Sequence, residues 1–214
     1  KLINLLTPKS HFFLYGSLVC WNFFGLTTFS KANISFDSNQ KVLSETDDLT
    51  SQTIEQTMEI MPQGTRRLAA QLRTSLSFES LWLILTDYNR LSEYIPNLTS
   101  SSLLSRNGRK IKVRQVGSQN LFGLQFSAEV FLELIENEEN GILKFHLTKG
   151  DFRKFEGSWT IRKLNKNQGT LLLYELTVQG CIGMPIALIE KRLRGDLKEN
   201  LLAVQEAASI LKHF

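Results

Sequence analysis

Proton transfer is the chemistry that the ionisable side chains of this sequence could support, with Asp87, Glu129, His146 and Glu175 as the positions to weigh. Leu124, Phe126, Ala128, Val130, Leu132 and Leu134 alternate with Gln125, Ser127, Glu129 and Glu133, which puts Glu129 on the polar face of a strand. His146 lies opposite Leu143, Phe145 and Leu147, so a solvent-facing imidazole is expected rather than a base. Asp87 ends a helical stretch, where aspartate commonly caps or turns the chain; positioning a ligand head group is the alternative. Glu175 is flanked by Leu171, Leu172, Leu173, Tyr174 and Leu176, which occupy both faces, so alternation does not fix its direction. It is the weak catalytic candidate, as a general acid or base. His11, His146 and His213 are far apart, and Cys20 and Cys181 form no CxxC or Cys/His ligand spacing. No nucleophile elbow, P-loop or dinucleotide fingerprint is present. No cofactor or metal is expected, and a non-enzymatic role is favoured.

A second group of residues suits binding rather than bond-making. Gly150-Asp151-Phe152-Arg153-Lys154-Phe155-Glu156-Gly157-Ser158-Trp159 places large aromatics beside glycines between two strand patterns. Phe152, Phe155 and Trp159 are expected either to line a cavity or to fill a sheet core. Tyr88 and Tyr94 combine an apolar body with a hydroxyl and would suit a cavity entrance; a surface-packed helix pair is the other reading.

These side chains need elements to hold them. Leu68, Ala70, Leu72, Thr74 and Leu76 alternate with Arg67, Gln71, Arg73 and Ser75, predicting a half-buried strand. Ser77-Phe78-Glu79-Ser80 opens a helix through about Thr86, with Ser77 or Ser80 as N-cap. A second short helix over Asn89–Tyr94 stops before Pro96. Six strands follow: a weak one at Leu98–Ser105, then Arg109–Val116 after the Asn107-Gly108 turn, then runs centred on Phe126–Leu134, Leu143–Leu147, Trp159–Ile161 and Thr170–Val178. After Pro185, Ile189, Leu193, Leu197, Leu201, Val204, Ala208 and Leu211 recur every three or four residues, predicting one helix to about Lys212. The order predicts an α+β fold, a curved antiparallel sheet of about six to seven strands wrapped around a long C-terminal helix with an apolar cavity between them. Ile95, Val113, Phe126, Ala128 and Phe145, with Ile189, Leu193 and Leu197 of the helix, complete the expected ligand-lining set.

Residues 1–32 hold an uncharged, aromatic-rich run from Phe12 to Phe29, preceded by Lys1 and Lys9. This approaches the roughly 17–20 residues of a membrane span, and Ser30-Lys31-Ala32 resembles a small-x-small cleavage site. A signal peptide, an uncleaved anchor and an ordinary hydrophobic tail are all open readings. The first two make the protein membrane-associated or exported, through contact of this segment with the membrane; a cytoplasmic location is the runner-up. Residues 33–63 read as a polar linker with a short helix near Thr53–Ile60, and residues 64–214 as the folded domain, expected to be a monomer. The net charge of +4 comes largely from Lys1, Lys9 and Lys31, so no nucleic-acid partner is expected. Arg106, Arg109, Lys110, Lys112 and Arg114 read as a solvated strand face, with Glu133 and Glu136 as cross-strand partners.

Three segments resemble a known family. Leu85-Thr86-Asp87-Tyr88-Asn89-Arg90-Leu91-Ser92-Glu93-Tyr94-Ile95-Pro96-Asn97-Leu98, Gly150 through Trp159, and Pro185 through Leu202 are similar to segments of the START-like (SRPBCC) superfamily with its helix-grip fold. Within it the likeness is to the polyketide cyclase/dehydrase and coenzyme Q-binding START-domain group, of cyanobacterial and plastid type. Asn97-Leu98 departs from the Trp-Cys that often follows this proline in the coenzyme Q-binding branch. The resemblance implies binding or transfer of a hydrophobic small molecule, a lipid or isoprenoid quinone. A small cyclase/aromatase-type enzyme, or a ribosome or protein interaction module, remains the alternative.

Overall fold

The computed structural model describes residues 54–121, 124–165, 168–181 and 186–211. The chain divides into two units, Lys1–Glu45 and Thr46–Phe214. The first, and with it the apolar run at Phe12–Phe29, lies outside the described residues. In the second, the strands are β1 (Glu55–Ile60), β2 (Arg66–Thr74), β3 (Leu98–Asn107), β4 (Lys110–Leu121), β5 (Leu124–Asn137), β6 (Ile142–Gly150), β7 (Phe152–Lys163) and β8 (Thr170–Gly180). The helices are α1 (Phe78–Thr86), α2 (Leu91–Tyr94) and α3 (Ile186–Leu211).

All pairings are antiparallel, in the order β1-β2-β8-β7-β6-β5-β4-β3. Helices α1 and α2 connect β2 to β3, α3 follows β8, and β2 pairs with that last strand, Ala70 opposite Tyr174. The sheet therefore has eight strands among the described residues, against the six to seven expected. The additional one is β1, where a short helix was expected. Its sequence EQTMEI has weak local preference, and half-buried Gln56 and Met58 alternate with exposed neighbours. Pairing Met58 with Leu68 on the open edge of β2 decides the conformation, a tertiary override of local propensity.

Local chemistry sets the other boundaries. Ser77 is the N-cap of α1, its side chain accepting the Ser80 N–H at 3.1 Å. Gly108 turns β3 into β4 at φ +56°, a left-handed conformation that glycine adopts without penalty. Along α3, Leu197, Leu201, Val204 and Ala208 form a fully buried stripe that packs with Leu68, Leu72 and Leu172. Arg66 of β2, buried against the helix, pairs with Glu190 and ties the sheet to the first half of α3. On the polar outer face Arg114 pairs with Glu129 at 2.5 Å, and at the strand ends Arg109 pairs with Glu139 at 3.3 Å; Arg106, expected in the same solvated row, instead meets Glu136 at 2.7 Å on the inner side, in register with buried Ile111 and beside Tyr88. No described helix is long and apolar enough to cross a membrane.

Candidate functional site: a cavity between sheet and helix

The packed stripe of α3 covers only part of the concave sheet face. Beyond it lies a cavity of about 370 Å³, within the ~300–1,000 Å³ typical of ligand sites. Its closed end is made by buried Leu85, Leu91, Leu134, Leu143 and Tyr88. It reaches the surface beside Phe126, which is 44% exposed, and exposed Ser127 and Pro96.

One wall is aromatic. Trp159 of β7 and Tyr174 of β8 face each other in register and stack at 4.0 Å with 2° between planes. Phe145 of β6 approaches Tyr174 at 6.3 Å and Phe155 at 5.8 Å, and Phe155 meets Phe152 at 5.4 Å. Strict alternation would send Phe152 and Phe155 to opposite faces. A bulge intervenes: Phe152 pairs with Gly180 and Lys154 with Gln179, leaving Arg153 as the extra residue and turning both rings inward. Gly157 lies between Phe155 and Trp159 in the strand, and a Cβ there would meet the Glu175 carbonyl and come within 2.7 Å of the Phe145 ring. The missing side chain leaves room for the Phe145 ring beside β7. At the turn before the bulge, Asp151 clamps β5 twice, accepting the Glu129 N–H at 2.7 Å and donating its own N–H to the Glu129 carbonyl at 2.9 Å.

The opposite side carries the polar groups. Asn97 adopts φ 62°, a left-handed conformation that asparagine tolerates better than most residues. Its carbonyl accepts the Ser118 N–H at 2.8 Å, and its side-chain amide donates to Asp196 Oδ1 at 3.4 Å, linking the α2–β3 loop to both β4 and α3. Gln115 follows Ile111 and Val113 on the inner face of β4, and Asn200 lies one turn beyond Asp196 on α3; both reach the cavity.

The tyrosines serve as hydrogen-bonded structure. Tyr88 donates to Glu136 at 2.7 Å, and Glu136 in turn receives Arg106 at 2.7 Å. Burial, reinforced by the Glu136 carboxylate, holds the Tyr88 phenol well above its ordinary range. Tyr94 donates to Asp87 at 3.2 Å, and burial together with the Asp87 charge pushes its phenol up to about 12. Asp87 also lies 3.6 Å from Arg90, so its role is local pairing.

Of the residues expected to meet a ligand, Tyr88, Ile95, Phe126, Ala128, Phe145, Phe152, Phe155, Trp159 and Leu193 line the cavity. Tyr94, Val113 and Leu197 do not. Tyr94 is turned to Asp87, while Val113 and Leu197 are fully packed in the core. The side chain of Ile189 lies outside the described residues. Glu175, the catalytic candidate, is on the outer face: Trp159 and Tyr174 face inward, so the adjacent pair Ser158 and Glu175 faces outward, hydrogen-bonded at 3.1 Å. His146 is exposed on the same face. Sequence reasoning missed Asn97, Gln115, Tyr174, Asp196 and Asn200. Signals existed for some: Gln115 continues the Ile111–Val113 period, and Asp196 and Asn200 follow Leu193 at helical spacing.

Comparisons with known proteins agree with this architecture. No curated protein matches the chain. Among solved structures, a STAR-related lipid transfer protein from Xanthomonas axonopodis superposes with a TM-score of 0.60 at 14% identity, covering 73% of this chain and 93% of that one. The Zhui aromatase/cyclase from Streptomyces gives 0.59 at 11% identity, covering 68% and 94%. Human StAR-related lipid transfer protein 5 gives 0.63 at 10% identity, covering 74% and 83%. At these identities the likeness is one of fold, the START-like helix grip. The sequence itself matches the family described as polyketide cyclase/dehydrase and lipid transport over residues 74–205, from the end of β2 to the last turns of α3. That span holds the cavity walls and the helix that closes them, and the chain belongs to this family.

Proposed function

We propose that the domain binds and carries a hydrophobic small molecule, a lipid or an isoprenoid quinone, without chemical conversion. The observation that carries this reading is the cavity itself, with its ladder of five rings from Phe152 to Trp159 along one wall. Apolar surface moved from water into such a space gains roughly 25 cal/mol per Å². The family's description, which includes lipid transport, supports the same reading. The apolar run at Phe12–Phe29 supports a membrane-associated or exported location, where a carrier of apolar molecules would meet its cargo. Native mass spectrometry of the full chain after gentle purification tests the proposal. A retained apolar molecule, or stoichiometric uptake of a quinone or lipid added to the protein, is expected; a domain that neither retains nor takes up any overturns it.

A further inference from the structure

We infer that Tyr174 anchors the bound molecule by donating a hydrogen bond to it, and that this molecule is an apolar carbonyl compound such as a ketone, an ester or a quinone. The inference rests on the carrier reading above and narrows its ligand class.

Of the three described tyrosines, two have committed hydroxyls, Tyr88 to Glu136 and Tyr94 to Asp87. Tyr174 is 6% exposed and lines the cavity, yet its hydroxyl makes no hydrogen bond among the described residues. Stacking on Trp159, its cross-strand partner, holds the ring without using that group. Buried tyrosines ordinarily find a partner for the hydroxyl, and a donor withdrawn from water with none costs free energy. Nor is the hydroxyl sealed in packed protein. Among the described residues, Gln205 Oε1 is the only buried side-chain polar atom enclosed without a partner. Tyr174 Oη therefore borders open space, and the space this residue lines is the cavity.

The chemistry of the group sets what it takes. A phenol offers one O–H donor. This one is protonated at neutral pH: burial first, and then the charge of Asp196, hold it far above its ordinary range, with no hydrogen bond between the two. Its complement is an acceptor oxygen. A carbonyl supplies one and brings no hydrogen of its own to satisfy. A molecule that is apolar elsewhere then leaves no donor unpaired against the rings.

Two probes that differ at one carbonyl test the inference, 2-acetylnaphthalene and 2-ethylnaphthalene, titrated calorimetrically into the full chain. Tyr174→Phe keeps the stack and removes only the hydroxyl. It should weaken the ketone about fivefold and leave the hydrocarbon within about twofold, a split that general damage to the wall would not give. The infrared carbonyl stretch of the ketone bound to the unmodified chain should lie below its position in cyclohexane and return toward it in the variant. Equal loss for both probes, no loss for the ketone, or an unshifted carbonyl would overturn the anchor while leaving the carrier reading intact. A variant that fails to fold would overturn it too, by showing that the hydroxyl serves the protein. If neither probe binds, native mass spectrometry decides. Co-purifying ketone, ester or quinone supports the inference, cargo lacking a carbonyl overturns it, and a domain that neither retains nor takes up an apolar molecule removes both readings.

Discussion

Gly157 is the residue on which the aromatic wall turns. Its backbone lies against β8, and the Phe145 ring occupies the space a side chain would need. Gly157→Ala must displace either the strand or the ring, an overpacking cost of about 1–3 kcal/mol. Urea unfolding should show that loss, and uptake of a bound lipid should fall together with it, because the displaced ring is part of the cavity. Glu175 illustrates the contrary case. A leucine-rich stretch obscured its direction in the sequence, and cross-strand pairing with Ser158 sends it to the outer surface. Alternation failed there because β8 is apolar on both faces, and period two carries information only where the faces differ.

At the scale of elements, the β6–β7 corner shapes the site more than any helix does. The bulge at Arg153 brings Phe152 into the wall, and the double hydrogen bond between Asp151 and Glu129 fixes the chain just ahead of it. Asp151→Ala removes the side-chain half of that clamp. Its expected cost in stability is about 0.5–1.5 kcal/mol, with a larger proportional effect on ligand affinity, since Phe152 loses its fixed register. Thermal unfolding and lipid uptake, measured on the same variant, check the two parts; equal and small effects on both would show that the clamp does not position the ring. A bulge of this kind is not visible in residue order, because it depends on which residues of the neighbouring strand claim the hydrogen bonds. The inward set on β5 and β6 was legible, because Phe126, Ala128 and Phe145 obey simple alternation and line the cavity.

For the molecule as a whole, three tyrosines link stability to alkaline pH. Tyr88, Tyr94 and Tyr174 all have phenols raised above the ordinary value near 10, each mainly through burial. The folded state thus keeps protons that the unfolded chain releases. Their stabilisation is complete below about pH 10 and is lost progressively above it, through about 12 for Tyr94 and higher for the other two. The midpoint of thermal unfolding should fall between pH 10 and 12, and Tyr88→Phe should make that fall shallower. A midpoint independent of pH across this interval would show that the phenols titrate normally.

The sequence by itself determined the helix-grip architecture, because alternation, the Asn107-Gly108 turn and the stripe of α3 are local patterns that neighbouring residues enforce. It also specified most of the apolar wall. Only tertiary structure decided that Glu55–Ile60 is a strand, that Val113 and Leu197 are packed in the core and do not line the cavity, and that Asn97, Gln115, Asp196 and Asn200 converge on it. The physical reason is the same in each case. Edge pairing, the depth to which a helix fills a curved sheet, and the meeting of polar groups across a cavity are set by contacts between segments far apart in the chain.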